Sequence, residues 1–301
     1  MWKKTALVLS LICYAVVLTL ILLVVRFPKQ TFISYAVDTI EDKLPGFTCG
    51  IGDVEYQYPL SLRFKRVSLA NPAELLDINT ETILISLDEK DFGNRGSLHF
   101  KLYGGIVETD VVLHRDSGIF EMESITLSGI SLADIEPLQS RLGRRINGTL
   151  DYSGQFKAKR DELYAGVLSG NIQIIDLQVN LKRPILQNDT LAFDSVTASS
   201  VLQNGRFEIS DGLATGSSYD GDFSGQISLA AQWQESAISI SGELKPQEKY
   251  VKQNRQVARA VSLLYNKYGS RAIPYSISGS FRDPVFQFGE TVQKINKRLV
   301  Q

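Results

Sequence analysis

YSISGSFRDP, residues Tyr275 to Pro284, alternates polar and apolar side chains as a β-strand does, yet sets a glycine in the middle of the run. The same Ser-Gly-x-apolar signature stands at Ser153–Phe156, Ser169–Ile172, Ser224–Ile227 and Ser241–Leu244. Glycine weakens a strand, because it has no side chain to pack and more backbone entropy to lose. Successive side chains point to opposite faces, so the phase of each glycine can be read. Gly225 shares its face with Phe223, Ile227 and Leu229, and Gly242 with Ile238, Ile240 and Leu244. Gly170 goes with Leu168, Ile172 and Ile174, and Gly279 with Tyr275, Ile277 and Phe281. Gly148 and Gly154 share a phase with Ile146, Leu150, Tyr152 and Phe156. All six lie on the apolar face, whereas the other face carries serines, Gln226 and Glu243.

On an apolar face a glycine removes bulk where a sheet bends tightly or another wall comes close. The expected fold is therefore mainly β: a strongly curved, mostly antiparallel sheet, folded over or groove-like, with a few short amphipathic helices. Two interiors fit that pattern. One is a closed barrel or sandwich filled by its own side chains. The other is an open sheet whose apolar side receives a lipid chain or a partner. The lining of such a groove is expected at Tyr56, Leu62, Leu168, Ile172, Phe223, Ile227, Ile240 and Ile277.

The rest of the chain supports the strand reading. Val54, Tyr56, Tyr58, Leu60, Leu62 and Phe64 alternate, then Val67 and Leu69 continue in the opposite phase, which predicts a bulge or bend at Lys65-Arg66. Further alternating runs at Ile83–Leu87, Leu98–Leu102, Val107–Leu113 and Phe120–Met122 are separated by Gly- and Asn-rich turns, as in an antiparallel meander. Helical spacing interrupts this twice. Ser131–Leu142 puts Leu132, Ile135, Leu138 and Leu142 on one stripe with Ser131 as N-cap. Gln247–Tyr268 does the same with Val251, Ala258, Val261, Leu264, Tyr265 and Tyr268, closed by Gly269. The last residues, 289–301, form a basic amphipathic tail. The Ser-Gly signatures are irregularly spaced, which excludes a fixed-period solenoid.

The N-terminus carries a different signal. Thr5–Val25, TALVLSLICYAVVLTLILLVV, is 21 residues without a charge. At 1.5 Å per residue it spans roughly 31 Å, the thickness of a bilayer's hydrocarbon core. No small-x-small cleavage site follows the run, so it reads as an uncleaved anchor within residues 1–26 rather than a signal peptide. Positive charge flanks both ends (Lys3 and Lys4, Arg26 and Lys29), which favours a cytoplasmic N-terminus only slightly. Phe32, Ala36, Ile40 and Leu44 then recur every four residues, as on one face of a helix across 27–45. That helix either packs on the domain that follows, 46–288, or lies on the bilayer surface.

Composition narrows the function. A chain of 301 residues with 44% hydrophobic and 22% charged residues folds, and a net charge of −1 gives no general attraction to nucleic acid. Two histidines and two cysteines leave little for metal or nucleophilic chemistry. The sequence contains no P-loop, no G-x-S-x-G elbow, no H-E-x-x-H and no C-x-x-C. His99 and His114 lie in neighbouring strands without an evident carboxylate or cysteine cluster, and Asp176, Asp194 and Asp211 read as turn or solvent-facing residues. Arg141, Arg144 and Arg145 read as a solvated helix end or as contacts for phospholipid headgroups. No enzyme activity and no cofactor are expected.

The order of features carries a resemblance. The anchor, the helix and the strand pair of FPKQTFISYAVDTIEDKLPGFTCGIGDVEYQYPLSLRFKRVSL resemble the opening of AsmA-like envelope proteins. GISLADIEPLQSRLGRRINGTLDYSGQF and FEISDGLATGSSYDGDFSGQISL resemble recurrent units of that superfamily, and IPYSISGSFRDPVFQF its C-terminal strand. Length and ending look most like protein N of type II secretion systems, in the form found in delta-proteobacteria and spirochaetes. That resemblance implies a single-pass inner-membrane protein with its main domain in the periplasm, non-enzymatic and without cofactor. Its partners would be other secretion-system or envelope proteins. The alternative it implies is an AsmA-like lipid-binding or transport protein of outer-membrane biogenesis, holding acyl chains in an apolar β groove.

Overall fold

A computed structural model describes Tyr14 and residues 28–289, apart from 45, 72–75, 92, 160–161, 163–164, 187, 231 and 254. The anchor read at Thr5–Val25 and the basic tail lie outside the described residues, save Tyr14 and Gly289. Among the described residues no helix is long and apolar enough to cross a membrane.

The alternating runs become one antiparallel sheet. Its first seven strands are β1 (Thr48–Gln57), β2 (Ser61–Asn71), β3 (Leu76–Leu87), β4 (Arg95–Leu102), β5 (Gly105–His114), β6 (Ile119–Ser131) and β7 (Ile146–Lys159). The second seven are β8 (Val167–Ile185), β9 (Asn188–Gln203), β10 (Arg206–Thr215), β11 (Tyr219–Ser228), β12 (Ala237–Pro246), β13 (Ile273–Ser280) and β14 (Pro284–Phe288). Spatial order equals sequence order throughout, so every connection is local. The two-residue period with turn residues between runs leaves each strand its predecessor as the nearest partner.

Among the described residues the α-helices beside the sheet are α1 (Lys29–Lys43), α2 (Glu136–Leu142), α3 (Glu248–Gln253) and α4 (Arg255–Tyr268). α1 packs on β1. Lys29 Nζ meets the Asp53 carboxylate at 3.0 Å, and Glu41 Oε1 accepts the Cys49 backbone N–H at 2.9 Å. The contact with β1 supports the packing reading of this helix. The stripe expected over Ser131–Leu142 divides into a 3-10 turn, Leu132–Asp134, and α2. Ser131 makes no capping hydrogen bond. Pro137 stands in the first turn of α2, where its missing N–H costs no helical hydrogen bond, which favours a helix start there and not at Ser131. Gly143, at φ 60, closes α2 in the left-handed conformation. On α4 the deepest residues are Val257 and Val261, 0% and 1% exposed, each contributing about 1.5–3 kcal/mol by burial. Val261 belonged to the expected stripe and Val257 did not.

The expectation of a strongly curved sheet is not met: the sheet stays open and is not strongly curled. The glycines show why. A side chain at Gly225 would overlap the Ser239 carbonyl oxygen, and one at Gly242 the Asp222 carbonyl oxygen. At Gly170 it would meet Ser153 O and, at 2.6 Å, the Tyr152 hydroxyl; at Gly154 it would meet Ser169 O and the Tyr152 ring. The missing bulk is thus filled by the neighbouring strand of the same sheet and by a tyrosine lying across it. No opposite wall is involved. Gly148 (φ 138) and Gly279 (φ 92) serve differently, at a bulge facing Ile175 O and at the turn between β13 and β14.

Irregularities fall at single residues. The phase slip read at Lys65-Arg66 corresponds to Arg66 at φ 50, whose guanidinium lies across Gly52. Asp176 and Asp211, at φ 53 and φ 52, lie inside β8 and β10 beside shifts in strand register, not in turns, and both face solvent as the sequence reading allowed. Aspartate tolerates the left-handed region better than most residues, which suits it to a bulge. One tie joins strands that are not neighbours. Arg144, at the head of β7, donates from Nη2 to Phe281 O beyond β13 at 3.3 Å.

Candidate functional site

Paired residues in an antiparallel ladder point to the same face, so the registers define rows that cross the whole sheet. One row reads Tyr56, Leu62, Ile85, Leu98, Thr109 and Ile125 over β1–β6. It continues as Gly154, Gly170, Ser200, Ile209 and Gly225 over β7–β11, and ends as Ile240, Ile277 and Phe286 over β12–β14. Every strand contributes one residue and none is charged. Large side chains occupy both flanks and the small residues sit between them.

Two further rows flank it. On one side Val54, Phe64, Ile83, Phe100, Val107, Leu127, Tyr152, Ile172 and Ala198 pair in succession. Beyond a bulge the same row resumes as Gly212, Phe223, Gly242, Tyr275 and Phe288. On the other side Phe156, Leu168, Leu202, Phe207, Ile227 and Ile238 follow one another. All eight residues expected to line a groove thus lie on one face. Tyr56, Leu62, Ile240 and Ile277 share the central row, Ile172 and Phe223 one flank, Leu168 and Ile227 the other. The reverse face carries Glu55, Arg63, His99, Glu108, Ser153, Asn171 and Ser199.

Burial shows how this face is covered. Of the eight, only Ile227 is buried, at 7% exposure, and the other seven are half-buried. In the central row only Thr109 and Ser200 are buried, and Ile85 is exposed. Neighbours within a sheet shield a side chain from the sides, whereas a second packed layer would also close it from above, as in a sandwich core. Half-burial along most of the central row shows that it is not closed from above, whereas Val54, Phe64, Val107, Ala198, Ile227 and Ile238 in the flanking rows are buried. Cover is local: α4 packs on β13, the Leu132 turn on β7, and the Trp233 ring lies 6.1 Å from that of Phe281. A barrel or sandwich filled by its own side chains is therefore not what this chain forms among the described residues.

Two features of the face were not read from the sequence. Tyr275 stacks on Phe286 at 5.6 Å and Phe286 meets Phe288 edge-on at 5.0 Å, so aromatic rings finish the apolar face at the last strand. The alternation in PVFQF was the available signal. Burial, with Asp222 nearby, pushes the Tyr275 phenol up to about 12, and its hydroxyl donates to Asp222 O at 3.2 Å. Tyr152 is the second feature: its ring roofs Gly154 and Gly170, and burial raises its phenol although the Ser200 hydroxyl acts the other way.

The histidines are not isolated. His99 Nδ1 lies 2.8 Å from Glu108 Oε1 across β4–β5, and His114 Nε2 lies 3.5 Å from Glu121 Oε2 across β5–β6. The partners are nine and seven residues apart and meet across adjacent hairpin strands through register. Among the described residues no group of three or more His, Cys, Asp or Glu side chains could hold a metal. No protein-family model, no curated protein and no solved structure matches the chain.

Proposed function

We propose that this chain is a non-enzymatic, membrane-anchored envelope protein whose open apolar sheet face holds the acyl chains of lipids. Residues 1–26 would anchor it in a bacterial inner membrane with the N-terminus in the cytoplasm and the sheet in the periplasm. The observation that carries the reading is the central row, Tyr56 to Phe286, uncharged across fourteen strands and only half-buried. At about 4.8 Å per strand the row runs for roughly 60 Å, several times the depth of one bilayer leaflet. Each methylene laid against it gains up to about 0.8 kcal/mol. A polar reverse face keeps such a sheet in water while its other side is occupied.

The test is lipid recovery. The full chain, purified in mild detergent, is extracted and its phospholipid measured by mass spectrometry, beside Ile240→Glu and Ile277→Glu. Bound lipid in the wild type and less in both variants, at unchanged melting temperature, is the expected result. No lipid in the wild type refutes the reading.

A second reading makes the chain a component of a type II secretion apparatus, contacting other secretion proteins. It rests on the length of the chain and on the ending IPYSISGSFRDPVFQF, which resemble that family. Deleting the gene separates the two. Lost export of secreted enzymes favours secretion, whereas normal export with a leaky outer membrane favours lipid transport.

A further inference from the structure

Between β12 and β13 the chain inserts α3 and α4, where residues 248–271 carry six cations, Lys249, Lys252, Arg255, Arg259, Lys267 and Arg271, against one carboxylate, Glu248. That is a local charge of +5 in a chain whose net charge is −1. All six cations are exposed. Glu248 pairs with Lys252 at 3.1 Å, and among the described residues Lys249, Arg255, Arg259 and Lys267 stand in no ion pair. The helices are held from beneath. Val257 and Val261 are buried, as is Ile273 of β13, on which α4 packs. The Tyr250 ring meets that of Tyr219 at 5.3 Å, and the Tyr268 hydroxyl donates to Phe288 O at 2.9 Å. Away from this buried side, Arg255, Arg259, Leu263 and Lys267 follow one another at four-residue spacing, all exposed. Leu263, at 71%, is the most exposed aliphatic side chain among the described residues. The chain leaves β14 at Gly289, against the Tyr268 hydroxyl, and residues 290–301 add Lys294, Lys297 and Arg298 against Glu290.

We propose that the outer face of α3 and α4 docks on an anionic phospholipid surface. Basic side chains are drawn to the phosphates of such a surface, and an apolar side chain among them enters the headgroup layer. Twelve residues of helix make the stripe from Arg255 to Lys267 about 18 Å long. It is the convex side of a helix, without the pocket that a protein partner's anchoring residue fills, and this favours a lipid surface over an acidic protein. The segment that starts at Gly289 adds charge of the same sign beside α4. Ile273, beneath α4, shares its phase with Tyr275 and Ile277, so the helices sit on the apolar side of the sheet. The docked surface therefore agrees with the acyl-chain reading but does not depend on it, because Arg255, Arg259, Leu263 and Lys267 belong to none of the three apolar rows.

The experiment holds the full chain in nanodiscs of neutral phosphatidylcholine and measures its flotation with added vesicles. The vesicles are phosphatidylcholine with or without phosphatidylglycerol. Binding to the phosphatidylglycerol vesicles alone is expected, and it weakens as salt is raised. Each basic residue near an anionic surface strengthens binding about fivefold, so Arg255→Glu with Arg259→Glu weakens it about 25-fold or more, at unchanged melting temperature. Ile240→Glu, on the apolar face, leaves vesicle binding intact, which separates this site from the acyl-chain reading. Removal of residues 290–301 weakens binding without abolishing it. No binding, equal binding to both kinds of vesicle, or wild-type binding by the doubly reversed variant overturns the proposal. So does complete loss on removing 290–301, which moves the site to that segment. Soluble polyglutamate that binds as tightly as the vesicles and displaces them assigns an acidic protein instead, and also overturns it.

Discussion

Gly242→Ala adds one methyl group to β12 and sets it on the Asp222 carbonyl oxygen of β11, with the Asp222 carbonyl carbon at 2.8 Å and Phe223 Cα at 2.9 Å. All three are backbone atoms, so no side chain can rotate away and the two strands must part. Overpacking of this kind costs about 1–3 kcal/mol, and backbone obstruction places it near the upper figure. Alanine recovers roughly 0.4–1 kcal/mol by restricting the unfolded chain. The net loss is about 2 kcal/mol, or about 3 °C in melting temperature for a chain of this size. Gly221→Ala, on the facing strand, is the comparison. Its nearest obstacle is Glu243 O at 2.9 Å and the next atoms stand at 3.7 Å or beyond, so the strands part less and the loss is smaller than at Gly242. Thermal unfolding of the full chain in detergent, followed by near-ultraviolet circular dichroism, compares the two. A Gly242→Ala protein melting within about 1 °C of wild type, or a Gly221→Ala protein falling equally far, refutes the close approach of β11 and β12.

The apolar face also makes predictions about pH. Tyr275 and Tyr219 are both held neutral by burial, Tyr219 further by Tyr250, with phenols above the ordinary value of 10.0. An acid whose folded pKa is raised contributes stability that is present below its unfolded value and lost as pH rises through it. Melting temperature therefore falls as pH rises from 10 toward 12, and Tyr219→Phe with Tyr275→Phe flattens that slope; an unchanged slope contradicts the burial of these rings. At the other end of the scale, Lys29 holds the Asp53 carboxylate below its ordinary 3.8. That contribution is present above 3.8 and disappears as pH falls below it, so hydrogen exchange in α1, corrected for intrinsic rate, rises on acidification more than in β2. In Asp53→Asn it is raised already and changes less; equal behaviour of the two proteins sinks the assignment.

Much of the site was legible because a period of two assigns a face without any knowledge of partners. The phase of Gly154, Gly170, Gly225 and Gly242 placed them with Tyr152, Ile172, Phe223 and Ile240, and the registers agree. What that phase does not contain is the distance to another layer. Strong curvature was inferred from missing bulk, yet the bulk at Gly225 and Gly242 is missing because the next strand's carbonyl occupies it. Strand register and one long-range tie decided the rest: the Glu108 partner of His99 stands nine residues on, across a hairpin, and Arg144 meets Phe281 across 137 residues. Local strain was equally hidden. Asp176 and Asp211 look like turn residues in any sequence, and only their left-handed φ inside long strands marks them as bulges.

Ile277 and Ser278 are neighbours on β13 that face opposite sides of the sheet, and together they test the central claim. A benzophenone amino acid is placed at each position in turn in living cells, irradiated, and the adducts are identified by mass spectrometry. The account predicts a phospholipid adduct at position 277 and none at 278. Adducts only to protein at 277, or lipid adducts equal at both positions, would contradict it.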